Sequence, residues 1–254
     1  MGAGLHIMII GTAGSGKTSI CATFGKWLKR ELKTKVAYIN LDPGCVFTPY
    51  KPDFDIRDLF TVEKLMRKEK LGPSGAMIRA AELMEKDAEK IVSRIEKIDA
   101  DLKLIDTPGQ MEIFVFRPAG PRIAEALRDR ATTVAVYIVD PNLALTSTGL
   151  AVAVSLSIAT QLRLGIPTAT VVNKADEIKV PDMDRLLTDF DYLRSKVVEE
   201  KLGAMTDLAL HYVDAIKTLS KATRLVKASA KKSEGMEPLY DIVHECLCVC
   251  GDLT

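Results

Sequence analysis

The sequence predicts an α/β fold, a mostly parallel central sheet flanked by helices. Three observations carry that expectation. Short apolar runs alternate with amphipathic helical stretches along the chain. The first run, Leu5 to Ile10, passes directly into the glycine-rich segment Gly11 to Gly16 and then into a helical pattern. Two further runs end in Asp-Pro-Gly and Asp-Thr-Pro-Gly, so polar loops lie at strand C-terminal ends. Right-handed crossovers bring such loops to one edge of the sheet, where ligands of these folds usually bind.

In chain order, Leu5–Ile10 reads as a buried strand and Thr18–Leu32 as a helix. Val36–Leu41 is a second strand, ending at Asp42-Pro43-Gly44. The stretch from 45 to 60 holds Pro49, Pro52 and the aromatics Phe47, Tyr50, Phe54 and Phe60, the composition of an ordered loop. Thr61–Lys70 and Met77–Ile98 have helical spacing and flank a Gly72-Pro73-Ser74-Gly75 turn. Leu102–Ile105 is a short strand leading into Asp106-Thr107-Pro108-Gly109-Gln110. Thr133–Val139, Thr168–Val172 and Leu225–Ala228 complete a predicted set of six strands. Helices are expected near 121–130, 145–164, 182–221 and 236–249.

The 254 residues, 47% hydrophobic and 27% charged, fit a single domain over 1–254, with a helical insertion at about 182–221. Thirty-five basic side chains against 34 acidic ones leave a formal charge of +1, which gives no bulk electrostatic argument for nucleic acid or an acidic membrane. The N-terminus lacks the pattern of a signal peptide. The apolar run around Leu150 to Ile158 is interrupted by Ser155 and Ser157, short of the roughly 20 residues of a spanning helix. Five cysteines do not suggest a disulfide framework. A cytoplasmic protein is expected, with neither membrane nor direct nucleic-acid contact.

Gly11-x-x-x-x-Gly16-Lys17-Thr18 has the spacing of a phosphate-binding Walker A loop, with a strand before it and a helix after it. Its glycines let successive backbone N–H groups turn toward phosphate oxygens, and the following helix adds its positive end. Ala13, Gly14, Ser15, Gly16, Lys17, Thr18 and Ser19 are the residues expected around the phosphates. Lys17 can reach the β- and γ-phosphates, and the Thr18 hydroxyl can ligate Mg2+ directly. Asp106 is expected to hold a magnesium-bound water, and the Gly109 amide to sense the γ-phosphate.

The base is read from Asn173-Lys174-Ala175-Asp176, directly after a predicted strand. A carboxylate at Asp176 can accept from both N1–H and the 2-amino group of guanine, a donor pair that adenine lacks. Lys174 can cover the ring with its stem, and Asn173 can tie loops together. Ser229-Ala230-Lys231-Lys232 follows another strand, and the Ala230 N–H can meet the guanine carbonyl. The order of these segments after the Walker loop favours GTP over ATP.

The combination GTAGSGKTS, NLDPG, LGPSGAMIRAAELM, DTPGQME, NKAD and SAKK, spread from Gly11 to Lys232, resembles the GPN-loop GTPases. That resemblance implies a P-loop NTPase of the signal-recognition-like class, dimeric and magnesium-dependent. It also implies an assembly client related to RNA polymerase, and the absence of a tail resembles the archaeal members. The name-giving Gly-Pro-Asn stands here as Gly72-Pro73-Ser74. In the family this loop reaches across the dimer toward the partner's nucleotide. Serine keeps a donor and an acceptor but is shorter than asparagine. A side-chain amide contact would be lost or water-mediated, and a backbone contact would survive.

Resemblance also points to Asp42, Gln110 and Glu112 as catalytic groups beside Lys17. Asp42 can orient the attacking water or a magnesium-bound water. Gln110 donates and accepts at once, which suits positioning a water. Glu112 can orient that group from behind. Arg79 and Arg117 can supply charge, although arginines more often form structural ion pairs. Cys246, Cys248 and Cys250 invite a metal reading. On a helix Cys246 and Cys250 share a face while Cys248 points elsewhere, and no CxxC pair completes a site. The expectation is a homodimeric GTP/GDP switch. Its rivals are a GTP-driven metallochaperone and an assembly scaffold with a structural nucleotide, with a small-molecule kinase behind them.

Overall fold

The computed structural model describes residues 4–219 and 225–251. Seven parallel strands form the sheet: β1 (Leu5–Gly11), β2 (Val36–Asn40), β3 (Phe54–Asp55), β4 (Leu102–Asp106), β5 (Thr132–Val139), β6 (Thr168–Val172) and β7 (Leu225–Lys227). Their order across the sheet is β3-β2-β4-β1-β5-β6-β7. The order reverses around β1, so the loop after β1 opens at a switch point between β4 and β5.

The run His-Ile-Met-Ile-Ile in β1 is apolar almost throughout because both faces of the sheet are covered. Ile7 and Ile9 enter one core with Phe24 and Leu28 of α1 (Lys17–Glu31) and Leu239 and Val243 of α11 (Met236–Gly251). Met8 and Ile10 enter the other core, on the opposite face. There they meet α3 (Pro73–Lys86), α4 (Ala88–Glu96), α6 (Ala119–Arg128) and α7 (Ser147–Leu164). Each fully buried Ile or Leu in these two layers is worth about 1.5–3 kcal/mol. The two layers clamp β1 and thereby the loop that follows it.

The structure corrects the predicted elements at four places. A seventh strand, β3, pairs Phe54 and Asp55 with Ile39 and Asn40. Two residues are too few to show a period. Met77–Ile98 is not one helix: α3 already begins at Pro73, and Asp87 (φ −103°, ψ 14°) separates it from α4. Buried Met84, Ala88, Ile91, Val92 and Ile95 keep helical spacing across that break, so periodicity alone does not reveal it. Gly72–Gly75 is therefore not a free turn after α2 (Val62–Glu69), since Gly72 caps α3 and Pro73 occupies its first turn.

The region 182–221 contains three helices, α8 (Met183–Thr188), α9 (Phe190–Glu199) and α10 (Met205–Leu219). Asp189 ends the first and caps the second, accepting from the Tyr192 amide at 2.9 Å. Positions 220 and 221 lie outside the described residues. The fourth addition is α5 (Met111–Phe114), one turn after the Asp106–Gln110 loop.

Candidate nucleotide site

The site lies at the C-terminal edge of the sheet. β1 delivers the Walker loop, and β4, in register at Ile9–Asp106, delivers the Asp106 loop beside it. Asn40 of β2 is in register with Asp106 on the other side of β4. The Thr107 hydroxyl donates to the Ile9 carbonyl at 2.8 Å, and the Leu41 amide donates to the Asp106 carbonyl at 2.8 Å. Three adjacent strand ends thus bring Lys17, Asp42, Asp106 and Gly109 together.

Within the Walker loop the Ser15 hydroxyl donates to the Thr12 carbonyl at 2.9 Å. Lys17 is buried and donates to the carbonyls of Gly11 at 2.9 Å and Thr12 at 2.8 Å. Burial lowers its pKa, opposed by the carboxylates of Asp106, Asp42 and Glu112. The ammonium is therefore held by two backbone carbonyls, with three carboxylates near enough to favour its charge.

Asp106 is almost wholly enclosed, and burial pushes its carboxyl up to about 6. The Thr18 and Tyr50 hydroxyls and the Lys17 ammonium oppose that rise, and Asp42 adds to it. Oδ2 accepts from the Tyr50 hydroxyl at 2.8 Å, whereas Oδ1 is buried without a hydrogen-bond partner. Burial also raises the Asp42 carboxyl, against the amides of Gly44 and Gly109 and the charges of Lys17 and Arg57. The Gly44 amide meets Asp42 Oδ1 at 2.8 Å. An unpartnered buried carboxylate oxygen, a second carboxylate and the Thr18 hydroxyl are the all-oxygen donor set of a hydrated hard cation such as Mg2+. These residues fit the metal.

On the other flank of the Walker loop, Asn173 Nδ2 donates to the Ser15 carbonyl at 2.9 Å and Asn173 Oδ1 accepts from the Ala230 amide at 3.3 Å. Gly16 sits at φ 93°, and a Cβ there would collide with the Asn173 carboxamide. Ser229 donates to Asp176 Oδ1 at 2.6 Å, and that contact heads the causes that hold the Asp176 carboxyl below its usual range. Lys231 and Lys232 add positive charge nearby. Lys174 adopts a left-handed backbone at φ 56°.

Other predicted residues stand farther out. Gln110 caps α5 and is exposed, as is Glu112 on that helix. Gly72, Pro73 and Ser74 are exposed at the start of α3, and Met77, one turn on, packs beside Gly44. Arg79 does not reach the site; it pairs with Glu69 at 3.0 Å and Glu82 at 3.0 Å. Arg117 is exposed. Cys246 is buried in the core under α11, and the side chains of Cys248 and Cys250 lie outside the described ones. Among the described residues no group of three His, Cys, Asp or Glu side chains could hold a metal ion. No described helix is long and apolar enough to cross a membrane.

Sequence reasoning passed over the residues that brace the Asp42 loop. Asn40 donates to Asp55 Oδ1 at 3.0 Å and accepts the Asp42 amide at 3.1 Å. Arg57 donates to that same Asp55 oxygen at 2.9 Å and to the Cys45 carbonyl at 3.0 Å. The only local signal was the proline- and aromatic-rich composition of 45–60, which indicated order without naming partners.

Residues 9–249 match the protein family described as "conserved hypothetical ATP binding protein". The chain is 37% identical over 255 residues to "GPN-loop GTPase PAB0955" of Pyrococcus abyssi, covering 98% of this chain and 99% of that one. It is 32% identical over 197 residues to "GPN-loop GTPase 1" of Saccharomyces cerevisiae, covering 77% of this chain and 51% of that one. The crystal structure of PAB0955, a GTPase in apo form, superposes with a TM-score of 0.83 at 33% identity, over 98% of this chain and 100% of that one.

Proposed function

The chain belongs to the GPN-loop GTPase family and hydrolyses GTP, and we propose that it works as a magnesium-dependent homodimeric switch. The observation that carries the reading is the placement of two groups around one Walker loop. Lys17, Asp42, Asp106 and Gly109 gather on its phosphate side, and Asn173 joins it to the base-reading segments. The domain is taken as one unit over 1–254, with α8 to α10 inserted between β6 and β7.

The backbone N–H groups from Ala13 to Ser19 hold the phosphates, and the Lys17 ammonium turns from the Gly11 and Thr12 carbonyls toward them. Asp176 accepts the two guanine donors, with Ser229 fixing its carboxylate. The Ala230 amide would turn from Asn173 Oδ1 to the guanine carbonyl, and Lys174 and Lys231 flank the base. Mg2+, when bound, neutralises phosphate charge; Thr18 would ligate it directly, and Asp42 and Asp106 would hold its waters. Asp42 and Gln110 position the attacking water, Glu112 orients them, and the Gly109 amide reports the γ-phosphate. Movement of α5 and of the Asp42 loop then distinguishes the GTP and GDP shapes.

The Gly72-Pro73-Ser74 segment meets the partner protomer's phosphates through backbone N–H groups at the first turn of α3. The protein is cytoplasmic in this reading and assists a protein client, related to RNA polymerase as the family resemblance implies. Steady-state phosphate release with GTP and ATP, with Mg2+ or a chelator, tests the chemistry, and light scattering in each nucleotide tests the dimer. Equal turnover of ATP, metal-independent turnover, or a monomer in every state would overturn the corresponding part.

A further inference from the structure

Tyr50 follows Asp42 on the same loop and is 8% exposed. Its hydroxyl donates to Asp106 Oδ2 at 2.8 Å. Its ring stacks on Tyr38 of β2, with centroids 4.8 Å apart and planes 16° apart. The Lys29 ammonium lies over the Tyr38 ring at 4.5 Å, so the stack is closed from the α1 side. The Cys21 thiol, one turn along α1 from Thr18, is wholly buried against the same tyrosine hydroxyl. Tyr50 is therefore held by its ring, and its hydroxyl has a fixed position.

The two Asp106 oxygens have different surroundings. Oδ2 is occupied by Tyr50, and Oδ1 is buried with no hydrogen bond of ordinary length, the Thr18 hydroxyl lying near the carboxylate without bonding to it. A carboxylate lacking a hydrogen-bond partner can turn its plane about the Cβ–Cγ bond, because that torsion is soft. A donor fixed on one oxygen holds the plane and leaves the other oxygen pointing one way. Partners of this kind behind a metal's own ligands commonly tune its affinity.

We propose that Tyr50 is a positioning residue for GTP hydrolysis: by holding Asp106 Oδ2 it presents Oδ1 to the hydrated Mg2+ that accompanies GTP. The same bond joins the Asp42 loop to the metal's carboxylate, so the loop that carries a candidate catalytic group is set when Asp106 is set. The inference rests on the assignment of Asp106 to a metal-bound water, and its test separates the two.

The measurement is a Mg2+ titration of the protein with a fluorescent, non-hydrolysable GTP analogue, read as the Mg2+ concentration at half-maximal response. Tyr50→Phe keeps the stacked ring and removes the donor. It should raise that midpoint about tenfold, while the analogue's affinity in chelator stays within about twofold of the unmodified protein. Tyr38→Phe, which removes a hydroxyl from the same stack without touching Asp106, should leave the midpoint unchanged. Asp106→Asn should raise the midpoint as well, and adding Tyr50→Phe to it should change nothing further, because the two act as one unit.

A Tyr50→Phe midpoint equal to that of the unmodified protein, with Asp106→Asn shifted, overturns the role of Tyr50 alone. An unshifted Asp106→Asn overturns the metal reading, and this inference with it. Equal shifts in Tyr50→Phe and Tyr38→Phe, or additive effects in the double variant, assign the effect to packing and overturn the proposal. One measurement needs no variant. The buried Tyr50 hydroxyl proton should move in the NMR spectrum when Mg2+ is added to the analogue complex, and an unmoved resonance contradicts the coupling.

Discussion

The side-chain amide of Asn173 donates to the Ser15 carbonyl at 2.9 Å, joining residues 158 positions apart. Its oxygen takes the Ala230 amide at 3.3 Å. One buried side chain thus fixes the distance between the Walker loop and the 173–176 and 229–232 segments. Asn173→Ala leaves these groups unpaired at a cost of about 1–3 kcal/mol each. The expected result is a lower melting temperature without nucleotide and GTP binding weakened on the order of tenfold or more. Thermal melting and calorimetry check it, and a variant matching the parent in both would refute the bridging role.

Lys17→Ala should abolish hydrolysis and greatly weaken triphosphate binding, because the phosphate charge loses its nearest compensation. Asp42→Ala and Gln110→Ala should spare binding and reduce turnover. Comparing nucleotide affinity with single-turnover rate in the three variants separates the roles. An equal loss of affinity in all three would count against the division.

Asp176→Asn should weaken GTP and favour xanthosine triphosphate, whose 2-oxo group accepts where guanine donates. Competition binding with GTP, ATP and xanthosine triphosphate reads the change. The matched family's description names ATP and the curated relatives are named GTPases, so this variant addresses the base directly. ATP competing as well as GTP in the parent protein would remove the role from Asp176.

At the far end of the sheet, His6 is wholly buried, with Nε2 2.8 Å from a Glu96 oxygen that also accepts from Lys103 at 2.9 Å. Burial holds its pKa below 6.5; Glu96 opposes this and Lys103 reinforces it. Below pH 6.5 the unfolded chain takes up a proton that folded His6 resists. Its contribution to stability is thus complete above that pH and lost as pH falls through it. The loss is at most about 1.4 kcal/mol per pH unit. Denaturant unfolding between pH 7.5 and 5, compared with His6→Gln, should show the shallower slope in the variant. Identical slopes would remove His6 as the cause.

The start of α3 gives a test in trans. Gly72 has φ −71°, an ordinary extended conformation, so flexibility at this glycine is not what the segment uses. The exposed first-turn N–H groups remain as donors, and on that basis Ser74→Ala should retain most of the hydrolysis and Ser74→Asn should change it little. A loss of about tenfold in Ser74→Ala, about 1.4 kcal/mol of barrier, would instead assign the contact to the hydroxyl. A variant defective in this segment, mixed with Lys17→Ala, should regain partial activity through one site assembled from two damaged chains. Proven exchange without recovery would show that the segment does not act across the dimer.

The strands that carry the Walker, Asp106 and Asn173 segments are legible in residue order alone, because each joins a buried apolar run directly to its loop. Such short-range patterns record whether both faces of a strand are covered, as they are for Ile7, Met8, Ile9 and Ile10. The three-dimensional packing alone decided features with no local period. β3 exists because Phe54 and Asp55 meet Ile39 and Asn40 at the sheet edge. Arg79 forms the structural ion pair that arginines more often make, and only the α2–α3 packing chose Glu69 as a partner beside Glu82 on its own helix. Tyr50 read only as an aromatic in a proline-rich loop, and its bond to Asp106 joins positions 56 apart. Hydrogen bonds and ion pairs of that span depend on where separate elements dock, and residue order constrains that docking only through the whole fold.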